Sequence, residues 1–344
     1  MALGPKAGAV MAAVASATLL LSSCGGGSEG GNVAADTAGS SGEIASGGGA
    51  EVPTVKTGEP QLPVKFTGDD GVDIEVDSVD SVFVLDDATM EIMGALGLAD
   101  KVGIAPEKTG IEDIASHAEH RVKATGSGDM TVEGVVSMDP TLVIGTNMAR
   151  HAEIIEKLQD AEVDSTLIDL AQSPPEKIRK TGELLGVPEA GAELGEKVAA
   201  QLDEAEKVAS EVKDEERPRV MVLSSSGAGD SGATTAAGSG VSADTIVTGA
   251  GGINTGAEAG LERYSSVTAE GLVAAAPEVI VVAKSELETL GGAEGIWDEV
   301  SGLSGTPAAE DERLIVMDDM QLKGGGVSAG VGTLNLQDAL FDAS

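Results

Sequence analysis

A segment of this chain occurs twice: Thr131-Val-Glu133-Gly134-Val-Val136-Ser-Met-Asp-Pro140-Thr-Leu-Val143 returns as Thr268-Ala-Glu270-Gly271-Leu-Val273-Ala-Ala-Ala-Pro277-Glu-Val-Ile280. The Thr, Glu, Gly, Val and Pro keep identical spacing. Each copy reads as a short helix opened by a hydroxyl cap, Thr131 or Thr268, and closed before a proline that feeds a buried apolar strand. A chain that builds the same helix-to-strand step twice predicts two similar lobes, and the space between two lobes is a natural ligand site.

The N-terminus has a different character. One positive charge, Lys6, precedes an apolar run from Ala7 to Leu21, which is too short to span a bilayer comfortably and has the layout of a secretion signal. It runs into Leu21-Ser22-Ser23-Cys24, which resembles the bacterial lipobox, where the signal is cut before a cysteine that is then lipidated. Cys24 is the only cysteine, which fits a lipid attachment point and excludes an internal disulfide. The Gly/Ser/Ala/Glu stretch that follows, to about Glu59, cannot bury enough apolar surface to order itself and reads as a tether. Residues 1–23 are therefore expected to be a signal and 24–60 a leash, so that an exported protein hangs from the outer face of the membrane by its lipid alone. A net charge of −37 argues against nucleic acid or an anionic membrane surface as a binding target.

Beyond the tether, strands alternate with helices. Val72–Val76 alternates like an edge strand, Ser81–Leu85 reads as a buried one, and Asp86-Asp87-Ala-Thr89 caps a helix that stops at Gly97. Val102–Ile104 is a second strand, Pro106 to Gly128 a polar loop, and Leu142–Ile144 the strand of the first repeat copy. A helix from His151 to Gln159 then leads to a strand at Ser165–Ile168. This alternation predicts a mostly parallel sheet with helices on both faces. From Pro174 to Lys213 the period turns helical, and the stretch from Pro188 would span roughly 39 Å, enough to bridge two lobes as a stiff connector. Strands at Arg219–Leu223, Val279–Val282 and Leu314–Met317 build the second lobe. The expected boundaries are 61–174 for the first lobe, 175–216 for the connector helices and 217–344 for the second lobe. The glycines from Gly238 to Gly256 form no phosphate-binding motif and read as turns around a short helix at Ala243–Val247.

Several segments together resemble the substrate-binding lipoproteins of bacterial ABC importers for haem, cobalamin and ferric siderophores. They are Val84-Leu-Asp-Asp-Ala-Thr-Met-Glu91-Ile-Met-Gly-Ala-Leu-Gly97, the two repeat copies and the long connector helix. Within that group the chain is most similar to haem-binding members, through Arg219-Val-Met-Val-Leu-Ser-Ser, Gly238-Ser-Gly-Val-Ser-Ala-Asp244, Gly249-Ala-Gly-Gly-Ile-Asn254 and Tyr264-Ser-Ser-Val-Thr-Ala-Glu270. The resemblance implies an α/β fold of two doubly wound lobes joined by one rigid helix, with the ligand in the cleft between them. It also implies that Glu133 and Glu270, one on the outer face of each lobe, pair with arginines of an ABC permease dimer driven by its ATPase. Two carboxylates held at fixed separation on a rigid body suit a two-fold symmetric partner.

By the same resemblance Tyr264, the only tyrosine, stands where haem-binding relatives carry an iron-ligating tyrosine. A phenolate is a hard anionic ligand suited to ferric iron, and the adjacent Arg263 is placed to hold its charge, although relatives carry their arginine after the tyrosine, where this chain has Ser265 and Ser266. The opposite axial ligand of the relatives falls on Gly126-Ser-Gly128-Asp129-Met130, where Gly128 offers no side chain. Met130 and His151 are the substitutes, the latter in a loop expected to face the cleft at a helix start that keeps the ring neutral. A five-coordinate site with Tyr264 alone is a third arrangement. Arg150, Arg263 and Lys323, the last in Lys323-Gly-Gly-Gly326, are the candidate partners for haem propionates, with Met90, Met148 and Met320 lining an apolar slot.

His117-Ala-Glu-His120 is weighed separately, since two histidines three apart on one helix face, with His151, would suit zinc or manganese. No nucleophile is paired with a histidine and no carboxylate pair is tied to a cleft, so no enzyme is expected. The expectation is a monomeric receptor that uses no catalytic cofactor and carries haem as transported ligand; a ferric siderophore or cobalamin is the alternative cargo of the same architecture.

Overall fold

The computed structural model describes residues 50–123, 130–225 and 234–341, together with the backbone of 42–44. The first of these backbone segments, β1 (Gly42–Ile44), is followed by β2 (Val64–Thr67), β3 (Asp73–Val76), β4 (Val82–Val84), α1 (Asp87–Ala95), β5 (Val102–Pro106), α2 (Glu112–Ala115), β6 (His120–Val122), α3 (Val132–Val136), β7 (Leu142–Thr146), α4 (Ala149–Asp160) and β8 (Ser165–Ile168). Five of these strands form a wholly parallel sheet in the order β6-β5-β4-β7-β8, while β2 and β3 pair as a separate antiparallel hairpin. The sheet is covered on both faces: Val82 and Val84 join Met90 and Met93 of α1, and Phe83 between them points the other way, toward Ile155 and Leu158 of α4. Strands buried on both sides read as continuous apolar runs, as β4 and β7 do.

The chain leaves this sheet through α5 (Pro174–Leu184) and α6 (Pro188–Ala209), both opened by proline in the first turn. It then builds β9 (Arg219–Ser224), β10 (Thr235–Ala237), α7 (Ser242–Gly249), β11 (Ile253–Asn254), α8 (Thr255–Glu258), β12 (Tyr264–Ser266), α9 (Ala269–Ala275), β13 (Val279–Ala283), α10 (Gly292–Glu299), α11 (Pro307–Glu310), β14 (Leu314–Met317) and α12 (Ala329–Phe341). The second sheet runs β1-β14-β13-β9-β10-β12, with β11 also on β9. Val220 and Val222 of β9 pack with Ile246 and Leu336 on one face; Met221 and Leu223 pack with Leu272 and Ile296 on the other.

Both repeat copies take the same form. Thr131 and Thr268 each accept a hydrogen bond from the amide three residues on, Gly134 or Gly271, at 3.1 Å. The residue before each proline, Asp139 (φ 52°) or Ala276 (φ 44°), is left-handed, which ends the helix and turns the chain into a strand between two others, β7 or β13.

Two features differ from the sequence expectation. The stretch from Pro106 contains α2 and the edge strand β6, held by Arg121, whose guanidinium binds Glu112 at 2.8 and 2.9 Å and the Pro106 carbonyl at 3.0 Å. Helix α6 stops at Ala209, 22 residues or about 33 Å long, where Arg217 donates to the Ala209 carbonyl at 3.2 Å. The second sheet is mostly parallel, as expected, with β10 and β12 running antiparallel to their neighbours β9 and β10.

The two sheets are tied together near the chain end. Glu91 of α1, only 6 % exposed, accepts hydrogen bonds from the amides of Val327 (2.7 Å) and Ser328 (3.1 Å) and from the Ser328 hydroxyl, at the entry to α12. Val327 itself packs in the first lobe's core. A Cβ at Gly326 would lie 2.6 Å from the Glu91 carboxylate, so a larger residue there would push the carboxylate away from its donors.

Candidate functional site

In open α/β sheets, ligands bind beyond the carboxyl ends of the strands. In the second lobe those ends are Ser224 of β9, the turn Lys284–Glu286 after β13, and the π turn Met320–Gly324 after β14. Their side chains converge. Lys323 pairs with Glu286 at 2.5 Å and donates to the Ser224 hydroxyl at 3.1 Å, while the Ser224 hydroxyl donates to Glu286 at 2.9 Å. The Lys323 ammonium also sits 5.3 Å from the centre of the Tyr264 ring, within cation–π range.

Tyr264 reaches this cluster because β12 is the outer strand of the sheet, with Tyr264 opposite Ala237 of β10. That pairing needs Gly238, since a Cβ there would lie 2.0 Å from the Leu261 carbonyl. The Tyr264 hydroxyl is buried and has no hydrogen-bond partner among the described residues. Burial, with Glu286 nearby, pushes its pKa well above the usual phenol value. Buried polar groups in native proteins are mostly satisfied; the Tyr264 hydroxyl is one of several buried polar atoms without a partner among the described residues, and it lies beside the strand-end cluster.

Arg263, next in the chain, is exposed and left-handed (φ 54°); its backbone bridges Gly238 and Ser239. Its role in the structure is the turn into β12.

In the first lobe the corresponding strand ends gather Asp86, Thr146 and His151. Asp86 is buried and accepts from the amide and hydroxyl of Thr89 (2.9 and 3.0 Å) and from those of Thr146 (2.6 and 3.0 Å). His151 stands in the first turn of α4, as expected, but it does not face the cleft: the ring is 0 % exposed. A carbonyl can only accept, so Nδ1–H donates to Thr146 O at 2.7 Å, and Nε2 accepts from Arg150 Nε at 3.2 Å. Burial lowers its pKa and keeps the ring neutral, against the opposing pull of Asp86. The loop after β7 turns inward because His151 fills the space above Thr146, leaving the exposed Arg150 as the group that faces out.

Met130 is half-buried against the first lobe's core, beside Val132 and Met138. The neighbouring Gly126-Ser-Gly128-Asp129 and the lipidation candidate Cys24 lie outside the described residues. Glu133 and Glu270 are exposed on α3 and α9. Of the slot methionines, Met90 and Met320 are buried. His117 and His120 do not share a helix, since α2 ends at Ala115 and His120 belongs to β6. Among the described residues there is no group of three or more His, Cys, Asp or Glu that suits a metal ion.

Glu286 and Ser224 were not anticipated from the sequence. The only signal for them is positional, in that each ends or follows a buried apolar strand.

Two three-layer α/β lobes, each presenting its strand ends to polar clusters, define a two-lobed ligand-binding protein. The chain belongs to the periplasmic binding protein family, whose model matches residues 82–320. Among solved structures it is similar to the periplasmic heme-binding protein RhuT from Roseiflexus sp. RS-1 in apo form, with 29 % identity and a TM-score of 0.68 over 77 % of this chain and 98 % of that one. It shares the fold of the heme-binding protein HmuT (24 % identity, TM-score 0.71, 88 % of this chain and 96 % of that one). It also shares that of the periplasmic heme-binding protein HutB of Vibrio cholerae (20 %, 0.62, 77 % and 100 %). No curated protein matches the chain.

Proposed function

We propose that this protein is the substrate-binding component of an ABC importer, which captures hemin between its lobes and delivers it to a permease dimer and its ATPase. It is exported, as its family implies, and a lipid on Cys24 holds it to the outer face of the membrane. Hemin is cargo and not a catalytic cofactor, and the protein carries out no reaction.

The observation that carries this proposal is the Tyr264 hydroxyl, buried without a partner among the described residues under a lysine. Ferric iron supplies what that oxygen lacks, and once the proton has left, the Lys323 ammonium offsets the phenolate charge. The likeness to RhuT, a heme-binding protein, supports the same cargo. Tyr264 is the iron ligand and Lys323, released from Glu286, the nearest cation for a propionate; Arg150 and Arg263, both exposed, are the others.

For His151 to become the second axial ligand, Arg150 has to leave Nε2 and the first turn of α4 has to open; Met130 would have to leave its apolar packing. A five-coordinate site on Tyr264 alone needs neither. Glu133 and Glu270 dock the loaded protein on the permease.

The test is a hemin titration of the soluble fragment beginning near Glu51, followed in the Soret region with a corrinoid and a ferric siderophore as competitors. One-to-one saturation that neither competitor displaces supports hemin. No spectral change with hemin, together with tight binding of either competitor, would reassign the cargo.

A further inference from the structure

Among the described residues, four large apolar side chains stand exposed: Val52, Val136, Val208 and Val273. Two of them are repeat mates. Val136 and Val273 occupy the same position in the two copies, each 44 % exposed and each three residues after its exposed glutamate, Glu133 or Glu270. On a helix, residues three apart are surface neighbours, so each lobe presents a carboxylate and an isopropyl group side by side. No other valine or leucine of the repeat does this: the intervening Val135 and Leu272 are buried.

Some exposed glutamates, Glu153, Glu176 and Glu193, are tied to a lysine or arginine one helical turn away, while others, Glu189, Glu196 and Glu204 of α6 among them, have no ion pair among the described residues, so it is the valine at the shared register that sets the repeats apart. Neither Glu133 nor Glu270 has an ion pair among the described residues. A carboxylate without a cation beside an uncovered valine, built twice at the same register of a duplicated module, calls for a partner that offers a cation beside an apolar hollow, twice.

We infer that Val136 and Val273 are docking residues for a two-fold symmetric basic partner, supplying apolar contact where Glu133 and Glu270 supply charge and register. The inference rests on the proposal that the glutamates dock on the permease, and it adds the residues that give the complex its lifetime. Rim charges act mainly on encounter, whereas apolar side chains buried in the contact slow departure. Burying the remaining exposed part of one valine, somewhat under half of its side chain, corresponds to about a threefold change in affinity, and the pair to about tenfold.

The experiment replaces the gene in the source cells with full-length variants and measures hemin accumulation, with hemin affinity of each purified variant as control. Val136→Ser and Val273→Ser are expected to lower accumulation at limiting protein by about threefold each and about tenfold together, with hemin affinity unchanged. Val208→Ser, at an exposed valine outside the repeats, is expected to leave accumulation unchanged. If the double valine variant accumulates hemin like wild type while Glu133→Lys with Glu270→Lys does not, the valine inference fails and glutamate docking stands. If both double variants behave as wild type, the docking proposal fails with it. Sedimentation of a wild-type dimer that the valine substitutions dissolve would assign the patches to a second copy of this chain and overturn the inference.

Discussion

Removing the Glu91 carboxylate tests how the two lobes are held. Three donors converge on it, the Val327 and Ser328 amides and the Ser328 hydroxyl, and all belong to the segment that enters α12. In Glu91→Ala each is left without its partner. A buried donor stripped of its acceptor costs about 1–3 kcal/mol. Relief of the buried charge offsets part of this, since burial raises the Glu91 pKa against the pull of those same hydrogen bonds. Taking about 1 kcal/mol per donor gives a net loss of about 3 kcal/mol, or a fall in melting temperature of about 6–12 °C for a domain of this size. Ser328→Ala, which removes one donor of the three, is expected to lose about 1 kcal/mol. Scanning calorimetry at neutral pH on both variants decides the matter. If Glu91→Ala melts no lower than Ser328→Ala, the carboxylate's desolvation cancels its hydrogen bonds and the clamp is not what ties α1 to α12.

Other expectations follow from single positions. A Cβ at Gly332 would lie 2.1 Å from the Gln321 carbonyl, so Gly332→Ala should lower the melting temperature substantially, whereas Gly295, in α10 with nothing within 4 Å, should gain about 0.5–1 kcal/mol on substitution by alanine. His151 has a folded pKa below its unfolded value, so the unfolded chain binds the proton more tightly. Stability from this group is complete above about pH 6.5 and is lost as pH falls toward the folded pKa; urea midpoints of wild type should decline over that range more steeply than those of His151→Gln. Tyr264 is the only tyrosine, so the rise in absorbance near 295 nm on phenol ionisation reports on it alone. At pH 10.5 the denatured chain should show the phenolate band and the native, ligand-free protein should not, because burial raises the pKa; equal bands would show that the ring is open to solvent.

The elements with a strong local signal were legible in the sequence. Strands buried on both faces, such as β7, β9 and β13, are apolar runs, and the two threonine caps announce α3 and α9. What escaped depends on tertiary contact. Helix α12 is buried nearly all round, so its 3.6-residue period vanishes, and Gly330 and Gly332, needed for close approach to α6 and the Gln321 turn, read as loop residues. The edge strands β6 and β12 are three residues long and polar, so neither alternation nor propensity marks them.

At the site, Tyr264 was singled out by its rarity and its place before the second repeat copy. Its surroundings were only half visible, because Lys323 stands on a turn about 60 residues further along the chain. The position of His151 at a helix start was foreseen, but its inward turn was not. That depends on Thr146 and Arg150 saturating both ring nitrogens, which no spacing rule encodes.

In the proposed complex the Tyr264 oxygen binds ferric haem iron. Tyr264→Phe removes that one atom and keeps the ring beneath Lys323, so the Soret and visible spectra of hemin bound to wild type and to this variant isolate the bond. A one-to-one hemin complex is expected in wild type, with its spectrum and affinity lost in Tyr264→Phe. Identical spectra and affinities in the two proteins would contradict it.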